Sequence, residues 1–151
     1  MYEQKNTEQF RVWIQSEEGL PDEAIKWAAE FGSHLAKGEG RDGLNKLSTS
    51  QLRKFFGQMK RLQIDMLSGS IRGNQGSHSG LLMLKPQLAY AKGRDLKTFR
   101  NEAVSQTKIA DFEDQISKAI DGVEKNNKKH FKNFVNLVEA IVAYHKAQGG
   151  E

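Results

Sequence analysis

Apolar side chains recur along this chain at intervals of three and four residues, and no segment alternates convincingly with period two. Residues 1–19 are weakly patterned, with Phe10, Val12, Trp13 and Ile14 enough for a short docking turn or helix. Ala24, Ile25, Ala28, Phe31 and Leu35 follow at helical spacing, and Pro21, Asp22 and Glu23 suit a helix start. An amphipathic helix is therefore expected over 21–36, ended by Gly38, Gly40 and Gly43. The stretch Leu47-Ser48-Thr49-Ser50-Gln51 offers a hydroxyl cap to a second helix. At 100° per residue its Leu52, Phe55, Phe56, Met59, Leu62, Met66 and Leu67 gather on one side. Arg53, Lys54, Lys60 and Arg61 gather on the other, with Gly57 in their midst.

Residues 68–80 hold four Gly and four Ser and read as a flexible loop, with Arg72 on a polar flap. Residues 81–93 read as a short, mostly apolar helix that Pro86 kinks or restarts, with Lys85 and Lys92 on one face and Gly93 as its stop. Leu96, Phe99, Ala103, Val104, Ile109, Phe112, Ile116, Ala119 and Ile120 predict one long helix or two joined ones. The last helix, 125–147, carries Phe131, Phe134, Val135, Leu137, Val138, Ile141, Val142 and His145, and Gly149-Gly150 end it. The expectation is an all-α fold, a single compact bundle of about five helices forming one domain over 1–151.

Composition narrows this. A chain of 151 residues has room for one comfortable core. With no cysteine it has no disulfide scaffold, thiolate metal site or Cys nucleophile. No apolar run approaches the ~20 residues of a membrane span, and MYEQKNTEQF is no secretory leader, so a cytoplasmic protein without membrane association is expected.

Charge changes the picture more. Residues 1–45 carry five Lys/Arg against nine Asp/Glu, and residues 101–151 carry seven against eight. Residues 46–100 carry eleven against only Asp65 and Asp95, a local charge of +9 in a chain whose net charge is +4. Such a block suits a polyanion, whose phosphates release counterions to Lys and Arg. It would equally suit an acidic protein surface, including the acidic third of another copy.

Catalytic and cofactor motifs do not emerge. Gly38-Glu39-Gly40-Arg41-Asp42-Gly43 spells G-x-G-x-x-G, but it follows a helix instead of a strand and holds two acids that repel phosphate. His34, His78, His130 and His145 lack ligand spacing, and His145 sits on an apolar stripe as a core or groove-lining residue. Asp111, Glu113 and Asp114 point different ways on a helix, so a metal-dependent nuclease has little support. No cofactor and no metal is expected. Trp13 and Trp27 fall in the acidic third, and only Tyr90 lies in the basic block away from the apolar stripes. Backbone contact is thus favoured over base stacking.

Three stretches carry a resemblance. They are Lys46-Leu47-Ser48-Thr49-Ser50-Gln51-Leu52-Arg53, then Leu84-Lys85-Pro86-Gln87-Leu88-Ala89-Tyr90-Ala91-Lys92-Gly93-Arg94, then FVNLVEAIVAYHKAQGG from Phe134 to Gly150. Over roughly residues 44–150 the chain resembles the small subunit of the type III-A CRISPR Csm interference complex. The resemblance implies a helical, non-catalytic RNA-binding subunit of an antiviral ribonucleoprotein. Its copies would stack head to tail beside the backbone and large subunits, along the duplex of guide RNA and target RNA. Lys46, Arg53, Arg61, Lys85 and Arg94 are the RNA contacts it implies first, and Lys54, Lys60 and Lys92 second. The family often carries Lys where this chain has Gln87. The alternative is a helical adapter whose basic face binds acidic protein.

Overall fold

Helix α1 (Thr7–Ile14) starts where Asn6 and Gln9 cap each other reciprocally, at 2.8 and 2.9 Å. The computed structural model describes residues 2–39, 44–68, 73–99, 101–125 and 127–149. Phe10, Trp13 and Ile14 of α1 are buried, whereas Val12, expected with them, faces outward. Helix α2 (Asp22–Leu35) follows Pro21, with Asp22 and Glu23 at its positive end. Its Trp27 and Phe31 stack at 4.9 Å, and Phe10 meets Trp27 edge-on at 5.3 Å. Trp13 and Trp27 are thereby core residues, and their indole N–H groups donate to Glu23 and to the Glu3 carbonyl.

Helix α3 (Thr49–Ser68) begins with a second reciprocal pair, the Ser48 N–H donating to Gln51 Oε1 and the Gln51 N–H to Ser48 Oγ. Leu52, Phe55, Met59 and Leu62 are buried as their period requires, while Phe56 is only partly covered. The Gly/Ser stretch departs from expectation. Residues 69–72, with Arg72 and its flap, lie outside the described residues. Residues 73–80, expected to be loop, form the first turns of helix α4 (Gly73–Arg94), which continues through Pro86. At Gly80 the helix comes close to α3, and a Cβ there would lie 2.7 Å from Leu62 Cδ1, the movable end of that side chain. Leu81, Leu84 and Leu88 pack inward.

The expected helix over 96–120 is corrected in its first half. Strands β1 (Leu96–Phe99) and β2 (Glu102–Ser105) pair antiparallel, Leu96 opposite Ser105 and Phe99 opposite Glu102. Asn101 at φ 68 takes the left-handed conformation that Asn tolerates. Asp95 closes the base of the hairpin. Its carboxylate accepts the N–H groups of Gln106 and Thr107 at 3.1 and 2.8 Å and the Thr107 hydroxyl at 3.0 Å.

Helix α5 (Ile109–Ile120) and helix α6 (Lys128–Ala147) complete the bundle, α6 capped by the Asn127 side chain on the His130 N–H. Six helices and one hairpin thus stand among the described residues, where about five helices were expected. The fold is all-α, and buried residues from every helix join one core. α2 and α6 cross at Gly32, where a Cβ would lie 2.7 Å from the Ile141 carbonyl oxygen. No helix among the described residues is long and apolar enough to cross a membrane.

Candidate nucleic-acid interface

The eight cations singled out from sequence divide into three groups. Arg53, Lys54 and Arg61 stand exposed on α3, with no carboxylate within 4 Å among the described residues. Arg53 and Arg61 are two helical turns apart, about 12 Å along the axis at 1.5 Å per residue. Gly57 sits between them, and nothing lies within 4 Å of where its Cβ would be.

Lys60, Lys85 and Lys92 turn inward to acids. Lys60 donates to Glu139 on α6 at 2.7 Å, Lys85 to Asp121 at the end of α5 at 2.5 Å, and Lys92 stands 3.8 Å from Glu113 on α5. Lys85 and Lys92 do share a face, and that face looks toward α5. These pairs keep much of their solvent contact, so each contributes little to stability. They do lower the positive charge that α4 offers outward.

Lys46 and Arg94 form the third group. Lys46 is exposed on the segment between α2 and α3 and donates to the Gly149 carbonyl at 3.3 Å. Arg94 ends α4 with its guanidinium 5.9 Å from the centre of the Tyr90 ring. Lys54 and Arg94 line the same groove between α3 and α4, so the structure brings these two together. Tyr90, set aside by sequence reasoning as an isolated aromatic, lies beside them and is 63% exposed. Tyr90 shares its face of α4 with Met83, seven residues earlier and also exposed, and this apolar pair off the Leu81, Leu84 and Leu88 stripe was the available signal.

Residues that could suggest catalysis are engaged elsewhere. The Asp111 carboxylate accepts from His34 Nε2–H at 2.8 Å, Glu113 faces Lys92 and Asp114 faces Lys118. Lys108, 3% exposed, donates to the His34 carbonyl at 2.8 Å and lies 3.4 Å from His34 Nδ1 and from Glu39. His145 is buried, and its Nε2–H donates to the Leu47 carbonyl at 2.5 Å, tying the segment before α3 to α6. Burial lowers its pKa below the ordinary histidine value. No group of three metal-ligating side chains occurs among the described residues. The fingerprint-like residues 40–43 lie outside them.

These features define a small all-α protein whose helix α3 carries, among the described residues, three exposed cations without a carboxylate partner. The chain belongs to the Csm2 Type III-A family, whose sequence pattern it matches over residues 20–151. It is a small subunit of the type III-A CRISPR Csm complex, which it forms with other subunits. No curated protein matches the chain. No solved structure matches it either.

Proposed function

We propose that this subunit binds RNA through the sugar–phosphate backbone, without catalysing a reaction, inside the type III-A effector that serves antiviral defence in the cytoplasm. The observation that carries the reading is the trio Arg53, Lys54 and Arg61, exposed on one helix with no carboxylate partner among the described residues. Long cations repeated along a helix neutralise successive phosphates and read charge and shape, leaving sequence to base pairing between guide and target. Lys46 and Arg94 extend the positive surface around the start of α3. Copies stack head to tail in a filament beside the backbone and large subunits. In this stacking the exposed acids of the first third, Glu18, Asp22 and Glu30, provide a surface opposite in sign to α3.

The test is anisotropy of labelled RNA, single-stranded and as a guide–target duplex, at about 50 and 200 mM salt. On a single strand each phosphate contact contributes about −0.7 to the log–log salt slope. Arg53→Ala/Arg61→Ala should therefore weaken binding and flatten the slope by about 1.4. Failure to bind at low salt would transfer the basic face to the adapter reading, with acidic protein as the partner.

A further inference from the structure

Between α3 and α4 the surface folds inward into a groove of about 560 Å³, within the ~300–1,000 Å³ range of small-ligand sites. Its floor includes Phe55, 6% exposed, and its wall on α4 is Met83, Pro86 and Tyr90. Met83 and Tyr90 are 57% and 63% exposed, large apolar surfaces left open to water. Lys54 stands on the α3 side and Arg94 on the α4 side, neither within 4 Å of a carboxylate among the described residues. Asp95 is the one acid of the lining, and its oxygens already accept Gln106 and Thr107 donors.

We infer that this groove receives an unstacked nucleobase of a bound RNA strand, with the flanking phosphates on Lys54 and Arg94. The inference rests on the RNA reading above and adds a base-accepting position to it. A flat aromatic with an apolar neighbour gives any base a stacking surface, and cations on both sides suit the phosphates that accompany it. Arg94, beside the Tyr90 ring, holds a positive charge next to that surface. An acidic peptide would answer the cations equally well. Arg53, adjacent to Lys54 and unpaired among the described residues, continues the positive path along α3 and favours a long polyanion.

The experiment uses the full chain, a labelled single-stranded oligouridine and an abasic ribose–phosphate strand of equal length, compared by anisotropy in low salt. Tyr90→Ala should weaken binding of the base-bearing strand about tenfold, the size of one lost base–aromatic stack. It should leave the abasic strand and the salt slope unchanged, and Tyr90→Phe should bind like the parent. Tyr90 is mostly exposed, and a thermal melt verifies that the variant folds. An equal effect of Tyr90→Ala on both strands, or none on either, overturns the base-accepting groove. The RNA reading then stands, provided Arg53→Ala/Arg61→Ala still flattens the slope. Absence of binding by either strand overturns both. Loss of self-association on sedimentation of Tyr90→Ala, with RNA affinity intact, assigns the groove to a second copy and also overturns the inference.

Discussion

Gly32 of α2 lies directly against the backbone of α6 at Ile141, so close that a Cβ would sit 2.7 Å from the Ile141 oxygen and 2.8 Å from the His145 nitrogen. Both neighbours are helical backbone and cannot turn aside as a side chain would. Alanine at this position would have to push two helices apart in the middle of the core.

Gly32→Ala is therefore expected to destabilise the chain by about 2–3 kcal/mol despite alanine's higher helix propensity. For a chain of this length the melting temperature should fall by about 5–10 °C. Thermal unfolding followed by circular dichroism checks it, and an unchanged or raised midpoint would contradict the close crossing.

Gly57 is the opposite case. Its Cβ position is open, so Gly57→Ala should raise stability by up to about 1 kcal/mol in the free chain. Position 57 also lies between Arg53 and Arg61, where the proposed RNA backbone passes. Gly57→Leu should keep the stability of the alanine variant while reducing RNA affinity, because its side chain stands between the phosphates and the helix. Equal RNA affinity in the parent and the leucine variant would place the RNA path elsewhere on α3.

His145 predicts a pH dependence. Its neutral form, with Nε2–H donating to Leu47, is the folded form, and burial lowers its pKa below that of the unfolded chain. Below the ordinary histidine pKa of about 6.5 the unfolded state binds the extra proton first. The stabilisation is thus fully present above about pH 6.5 and is lost as pH falls from there through the folded pKa, at no more than about 1.4 kcal/mol per pH unit. Urea unfolding from pH 7.5 to 5 should show that decline in the parent, and His145→Gln should remove its histidine component. Parallel curves for the two proteins would mean that His145 does not set it.

The helices α2 and α6 were legible because burial on one side enforces a 3.6-residue period, visible in Ala24, Ala28, Phe31 and Leu35 and again in Phe134, Val138 and Ile141. The hairpin was not. Leu96, Phe99, Ala103 and Val104 fall at helical spacing, yet Leu96 and Val104 are exposed on a hairpin, so the period did not record a helix packed on the core. The turn sits at Asn101, without the glycine or proline that usually announces one. The start of α4 was hidden by its glycines, of which Gly80 faces the side chain of Leu62 on α3. At the interface, period alone placed Arg53, Lys54 and Arg61 on one exposed side. The pairings of Lys60 with Glu139 and Lys85 with Asp121 join residues remote in sequence and emerge only from the packing of α3 on α6 and α4 on α5.

Those pairings predict an asymmetry among lysines that composition treats alike. Lys85 already has Asp121 as a counterion, so Lys85→Ala should flatten the salt slope of RNA binding by less than the ~0.7 of a full single-strand phosphate contact. Arg53→Ala, which removes a cation with no carboxylate partner among the described residues, should approach that full amount. Asp121→Asn provides the decisive arm. Neutralising the acid frees Lys85 and adds one net positive charge on the same face, so RNA affinity should rise at 50 mM salt and the slope should steepen. The pair is partly solvated, so stability should change by less than about 1 kcal/mol. A measured affinity that is unchanged or lower in Asp121→Asn would mean that the Lys85 face of α4 looks away from the RNA, and would confine the phosphate contacts to α3 and its immediate neighbours.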